Sequence, residues 1–314
     1  MKILAFSFLL AFTTFLVAQS SEELYNQALT QYETKEYKKG LKTIEKAIDK
    51  APKQEEYYIL KANLLLKTEG AKAYLQELNL IILKFPNYSY TYIKRGSLYS
   101  DIRQLDRSLQ DYERAIVHAE SDSVKLEYIT YRAGIKSKLG RYEEAYKDLA
   151  LVLQNDSLNP SLLTNIGIAA YEIGHKEEAF RYFRKTIKID STNSTFQQNI
   201  GFFYQRNGDH ELAIKYLTKA LSMMESNNIP KAYCYNNLAY SKLKTGDTKG
   251  ALKDVNTSLK IYELNPYAYR NRALIYIESG KKEKACEDIQ RSLDLDFTKS
   301  YGNEVLELQA KNCK

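Results

Sequence analysis

Side chains that could carry catalysis or hold a metal are few and scattered in this sequence. Its three histidines, His118, His175 and His210, stand far apart and without the spacing of metal ligands. Catalysis needs titratable groups gathered in one cleft, and the sequence has no phosphate-binding glycine loop and no ordered Ser-His-Asp or Cys-His-Asn set. We therefore predict no enzymatic activity, no cofactor and no metal, and we expect the histidines to be solvated.

Cysteine chemistry is confined to the last quarter of the chain, which holds Cys234, Cys286 and Cys313. If the last helices pack antiparallel, Cys286 and Cys313 could meet and form a disulfide. Two free thiols are the alternative. Such a bond would pin the C-terminal segment, and Cys234 would be left unpaired.

Asparagine recurs at regular intervals, at Asn26, Asn165, Asn199, Asn237 and Asn271. Its side chain offers both a donor and an acceptor, which suits the backbone of an extended peptide whatever the peptide's side chains are. The last four asparagines could therefore form a ladder that holds a ligand strand. The alternative is that asparagine is simply common at this position of the repeat described next.

The elements that must position these residues follow a period of about 34 residues. Small residues are separated by 34, 34, 37, 34, 34, 38 and 34 positions, and a second site follows each by twelve residues and is small in seven of eight cases. Two small sites in each period imply two closely packed helices, and a period of this size indicates a stacked array. The first set is Ala28, Ala62, Gly96, Ala133, Gly167, Gly201, Ala239 and Ala273.

Apolar residues complete the frame on the second helix of each period. The sites sixteen and twenty residues beyond the small residue, such as Phe183 and Ile187, are apolar throughout, so we expect both to face the core. Glycine occupies the turn between the helices in the last five periods, where a left-handed backbone ends the first helix at little cost. These glycines are Gly140, Gly174, Gly208, Gly246 and Gly280.

This pattern resembles the tetratricopeptide repeat family, which has small residues at positions 8 and 20, Gly at 15, an aromatic or aliphatic residue at 24 and Ala at 27. The Trp at position 4 is absent throughout, and Tyr74 replaces one small residue. The resemblance implies an all-α, right-handed superhelical solenoid of about eight repeats within residues 21–299, with a capping helix and tail at 300–314. The repeats are expected at 21–54, 55–88, 89–122, 126–159, 160–193, 194–227, 232–265 and 266–299.

In that family the first helices line a concave surface, so the resemblance places the asparagines in a groove. Their arrangement is similar to the asparagine ladder of the O-GlcNAc transferase repeat domain. Neighbouring positions should add aromatic anchors and a cation. The predicted peptide-binding residues are Asn165, Asn199, Asn237, Asn271, Tyr233, Asn236, Tyr267 and Arg270.

The first eighteen residues read as a secretory signal peptide, because one Lys precedes an apolar run from Ile3 to Ala18 that ends in small residues. An uncleaved membrane anchor is the alternative, although the run is shorter than the roughly 20 residues that span a bilayer. The mature chain should begin near Gln19, contain no transmembrane segment and be periplasmic or secreted, as in an exported protein of bacterial type.

Charge and composition exclude a nucleic-acid partner, because the net charge of +7 comes from 46 basic and 39 acidic residues mixed along the chain. We expect a non-enzymatic scaffold or adaptor that binds a partner polypeptide in its groove, within a complex of the cell envelope. The alternative is a structural envelope protein that binds peptidoglycan or anionic glycans through its basic surface.

Overall fold

The structure is a computed structural model that describes residues 19–313, and these residues form eighteen helices and no strand. The all-α prediction is therefore confirmed. The leader expected at 1–18 lies outside the described residues. The helices are α1 Ser21–Glu33, α2 Tyr37–Lys50, α3 Glu55–Thr68, α4 Ala71–Lys84, α5 Ser89–Asp101, α6 Leu105–Val117, α7 Asp122–Lys138, α8 Tyr142–Leu153, α9 Pro160–Glu172, α10 Lys176–Ile189, α11 Ser194–Asn207, α12 His210–Met223, α13 Ile229–Lys244, α14 Thr248–Ile261, α15 Pro266–Glu278, α16 Lys282–Asp294, α17 Phe297–Tyr301 and α18 Glu304–Asn312.

The chain divides into two compact units, of which the first ends at Val152 and the second begins at Leu153. The eight residue ranges assigned to repeats remain a prediction. The helices α7 and α13 begin before the ranges 126–159 and 232–265 because Ser121 and Asn228 cap them: the side chain of each accepts a hydrogen bond from a backbone N–H of the first turn.

Asparagine caps also fix the starts of first helices in the second unit. Asn159 and Asn265 each accept two backbone N–H groups with the side-chain oxygen, and a proline follows each of them as the first helical residue. Proline is favoured there because its missing N–H would have no partner within the helix. The Asn-Pro pairs therefore set where α9 and α15 begin.

The turns between paired helices use left-handed backbone, as predicted for the five glycines, whose φ angles lie between 68° and 89°. In the first unit Lys35 and Arg103 also have positive φ, at 65° and 59°, and Gly70 has a φ of 89° directly before α4. A left-handed residue with a β-carbon costs roughly 1 kcal/mol. The glycine turns avoid that cost.

The small residue of the first helix admits the large residue sixteen positions later on the second helix. A β-carbon added at Gly167 would lie 2.6 Å from Cε1 of Phe183, and one added at Gly201 would lie 2.8 Å from Cγ of Leu217. Both Phe183 and Leu217 are completely buried. Glycine at these sites therefore lets the two helices of a hairpin close over a bulky side chain.

Two positions of the repeat frame differ in how deeply their side chains are buried. The aliphatic residues at the twentieth position, such as Ile48, Ile116 and Ile187, are mostly only partly buried. They lie near the ends of second helices, and Ile48 contacts the core clusters of two successive helix pairs. Tyr74, which replaces a small residue of the repeat, is buried against Ala62 and its neighbours, and burial raises the pKa of its phenol to about 12.

Charged pairs join the two helices of several hairpins at a separation of sixteen residues. Asp148 accepts hydrogen bonds from Nε and Nη2 of Arg132 at 2.9 and 2.8 Å, and also from Nζ of Lys136 at 2.7 Å. The same spacing recurs in the pairs Lys61 with Glu77, Arg95 with Asp111, and Arg272 with Asp288. Since the acids are nearly buried, each pair satisfies a charge that the core would otherwise exclude.

The C-terminal segment packs as a cap on α16. Val305 of α18 and Phe297 of α17 are completely buried with Ile289. A disulfide joins Cys286 on α16 to Cys313 just after α18, with the Cα atoms 5.6 Å apart. Within residues 19–313 no helix has the length and apolar character needed to cross a membrane.

Candidate peptide-binding groove

A groove of about 880 Å³ runs across the first helices α11, α13 and α15 of the second unit and reaches α18. Its walls combine side-chain amides, aromatic rings and two arginines. Seven of the eight predicted groove residues line it: Asn199, Tyr233, Asn236, Asn237, Tyr267, Arg270 and Asn271. The eighth, Asn165, is exposed on α9 and is not part of the lining.

The asparagines differ in whether their side-chain amides are already hydrogen-bonded to other residues. Asn271 is buried, donates to Oδ1 of Asn236 at 2.8 Å and accepts from Nη1 of Arg270 at 2.6 Å. By contrast, the side-chain amides of Asn199 and Asn237 are partly exposed and make no hydrogen bond to another residue in the described part of the chain. The donors and acceptors offered to a ligand are therefore those of Asn199 and Asn237, whereas Asn271 supports Arg270.

Arg270 is the most buried cation of the groove. Its guanidinium lies 5.2 Å from the centre of the Tyr240 ring and donates from Nη2 to Glu304 at the start of α18. Its Nε is buried and has no hydrogen-bond partner among the described residues. A buried donor without an acceptor costs about 1 to 3 kcal/mol, so the position favours an added acceptor.

Aromatic rings flank the amides. Phe202 and Tyr240 each lie three residues after a ladder asparagine and line the groove. Arg206 lies over the Phe202 ring at 5.7 Å and is paired with Glu172. The groove can therefore bind apolar side chains beside its amides and its cations.

We expected all three histidines to be solvated, but His210 lines the groove. Its Nδ1 is buried and has no partner among the described residues. Burial lowers the pKa of the His210 imidazole below its ordinary value, with a further contribution from Lys244. The imidazole is consequently neutral at neutral pH, and its unpaired nitrogen can accept or donate one hydrogen bond.

Phe202, Arg206, Tyr240, His210 and Glu304 were not predicted as groove residues. A helical face continues at i+3 and i+7, so extending the face from Asn199 points to Phe202 and Arg206, and extending it from Asn237 points to Tyr240. Glu304 carried no such signal, because it reaches the groove from a separate short helix.

Among the described residues, no group of three His, Cys, Asp or Glu side chains could hold a metal. The histidines lie at separate elements: His118 directly follows α6, His175 precedes α10 and His210 begins α12. The groove therefore presents amides, aromatic rings and arginine side chains.

Comparison with known families agrees with the repeat. Models described as tetratricopeptide repeat match residues 192–263 and, separately, residues 160–193 and 266–299. All of these matched segments lie in the second unit, and they support a relationship of this chain to the tetratricopeptide repeat family. Such repeats generally mediate protein–protein interactions, and proteins built from them are generally non-enzymatic scaffolds.

Solved structures show the same fold at low sequence identity. A tetratricopeptide repeat protein from Parabacteroides merdae is 17% identical, with a TM-score of 0.66 over 82% of this chain and 98% of that one. A crystal structure of the APC/C hetero-tetramer Cut9–Hcn1 has 17% identity and a TM-score of 0.65 over 92% of this chain. This chain spans 55% of the length of that relative. No curated protein matches the sequence.

Proposed function

We propose that this protein is an exported interaction scaffold whose second unit binds an extended segment of a partner polypeptide in the groove of α11, α13 and α15. The observation that carries the proposal is the pair of unused amides, Asn199 and Asn237, which face one groove from equivalent positions of successive first helices. An extended backbone presents alternating donors and acceptors, and each amide can pair with both.

The rigidity of the groove supports the same function. Gln205 of α11 donates to the backbone oxygen of Asn237 and to Oγ of Ser241 on α13. Asn271 of α15 donates to Asn236 of α13. These contacts hold the three helices together without a ligand. Binding therefore has to order the ligand segment but not the helices of the groove.

Export is part of the proposal and rests on the apolar run from Ile3 to Ala18. We expect the protein in the periplasmic or extracellular fraction of a bacterial cell, with a first residue near Gln19. N-terminal sequencing of the purified protein measures this directly. Recovery of a membrane-bound chain that still begins at Met1 would favour the uncleaved anchor.

Replacing Asn199 and Asn237 together with alanine should weaken peptide binding about thirtyfold. Each amide would lose two hydrogen bonds to the ligand backbone, worth about 0.5 kcal/mol apiece, so the two amides together contribute about 2 kcal/mol. The probes are peptides selected from a random library on the wild-type protein, and their dissociation constants are measured by fluorescence anisotropy.

Asn165→Ala is the matched control, because Asn165 stands at the same repeat position but outside the groove. It should leave the dissociation constants unchanged, and all variants should keep their helical circular dichroism. Asn271 is left intact, because its removal would unpair the buried Asn236 and Arg270. Equal affinity in the double variant would refute the role of the amides, and binding that disappears at moderate salt would favour the charged surface instead.

A further inference from the structure

Arg270 binds its acidic partner incompletely. The residue is only 9% exposed, yet one guanidinium N–H, that of Nε, has no acceptor in the described chain. Nη1 is used by Asn271, and Nη2 by one carboxylate oxygen of Glu304. A carboxylate that fits a guanidinium edge accepts from Nε and Nη2 together. The Nε side of this guanidinium edge therefore has no hydrogen-bond acceptor among the described residues.

Glu304 can leave this position without unfolding its helix. It is the first residue of α18, and its side chain is 45% exposed, against 11% for that of Arg270. The helix itself is held elsewhere, by the buried Val305 and by the disulfide of Cys313. A rotation of the Glu304 side chain into solvent thus frees Arg270 and leaves the rest of α18 in place.

The charge of the groove determines which ligand group could take the place of the Glu304 carboxylate beside Arg270. Its lining contains two arginines, Arg206 and Arg270, and one acidic residue, Glu304 itself. Once Glu304 has turned away, the end of the groove at α15 is positive and surrounded by Tyr240 and Tyr267. A guanidinium whose side chain is only 11% exposed favours a carboxylate over an amide or an ammonium group.

We propose that Glu304 is a built-in competitor that occupies the place of a ligand carboxylate: the partner segment carries an aspartate or glutamate that replaces it and accepts from both Nε and Nη2 of Arg270. This inference rests on the proposed function of the groove. Affinity for acidic segments is then set by the exchange of one carboxylate for another.

The experiment uses peptides from the random library selected on the oxidised wild-type protein. We expect Asp or Glu to be enriched at one peptide position. Glu304→Gln should raise the affinity of an acidic peptide about fivefold, since a partly exposed ion pair is lost from the free protein, and should leave the same peptide with Gln at that position unchanged. Glu307→Gln, on the exposed surface of the same helix, is the matched control and should change neither affinity.

Arg270→Gln should abolish the preference of the acidic peptide over its Gln counterpart, and Arg270→Lys should reduce it, because lysine keeps the charge but not the planar pair of donors. Peptides that bind through Asn199 and Asn237 but show no acidic preference, or that respond equally to Glu304→Gln and Glu307→Gln, would overturn the competitor role and leave the proposed function standing. A library that yields no peptide sensitive to the Asn199 and Asn237 replacements would overturn both.

Discussion

Replacing Asp148 with alanine should lower the free energy of unfolding of the first unit by about 3 kcal/mol. Asp148 on α8 is the closest acidic partner of two cations of α7: Arg132 binds both of its oxygens and Lys136 binds one. Lys136 is only 7% exposed, so the variant leaves a cation in the core without its closest counter-charge. Urea denaturation followed by circular dichroism measures the loss.

Glu143→Ala is the control for this experiment, because Glu143 lies on the same helix but is exposed. Its removal should change stability by less than about 0.5 kcal/mol. Asp148→Asn should fall between the two, since the amide keeps an acceptor but not the charge. If Asp148→Ala costs no more than Glu143→Ala, the pairs at a separation of sixteen residues do not stabilise the hairpins.

Reduction of the Cys286–Cys313 disulfide should lower the stability of the second unit by about 3.5 kcal/mol, as the chain-entropy model gives for a closed loop of this size. The two residues are separated by 27 positions and tie α16 to the end of α18. Denaturant titrations of the wild-type protein with and without reductant measure the difference. The variant Cys313→Ser should unfold at the lower denaturant concentration in both cases.

Thiol labelling tests whether the bond forms. The folded protein without reductant should label at no cysteine, because Cys234 is completely buried and burial raises the pKa of its thiol to about 12. Reductant should add two reactive thiols, at Cys286 and Cys313, and unfolding should add the third. Two reactive thiols at Cys286 and Cys313 before reduction would show that the bond is absent in solution.

The helical hairpins could be predicted from the sequence because their signals are local and repeated. Gly174 and Gly208 indicate turns, and Gly167 with Phe183 indicates two helices in close contact. Each such signal depends on residues within one hairpin and recurs at the same repeat positions. The fold class could therefore be predicted without knowledge of any long-range contact.

The groove was predicted less completely, for a physical reason. The ladder asparagines occupy equivalent helix positions and therefore could be named, but the sequence does not say which amide is already bonded. The side-chain amide of Asn271 is hydrogen-bonded to Arg270 and Asn236. The amide of Asn199 has no such partner among the described residues. That difference depends on side-chain contacts between helices, and the repeat pattern does not indicate which of these contacts form.

The charged pairs, by contrast, leave a signal in the sequence. A basic residue just before the small site, such as Arg95, Arg132 or Arg272, is accompanied by an aspartate sixteen residues later, at Asp111, Asp148 or Asp288. Two repeats with an apolar residue at the first site, Ile166 and Ile200, have tyrosine at the second, at Tyr182 and Tyr216. A third, with Leu238 at the first site, has Asp254 at the second, and Asp254 pairs with Lys242 instead. An arginine at the first site therefore indicates the ion pair, whereas an acidic residue at the second site alone does not.

The burial of Cys234 has a consequence for how the protein acquires its covalent bond. Three cysteines can pair in three ways, and an oxidising compartment does not choose among them. Thiolates carry out disulfide exchange, and the Cys234 sulfur is enclosed on α13, 3.6 Å from the backbone oxygen of Leu217. The packing of α12 against α13 thus protects this thiol, and exchange among the three sulfurs is confined to chains in which these two helices have not yet packed together.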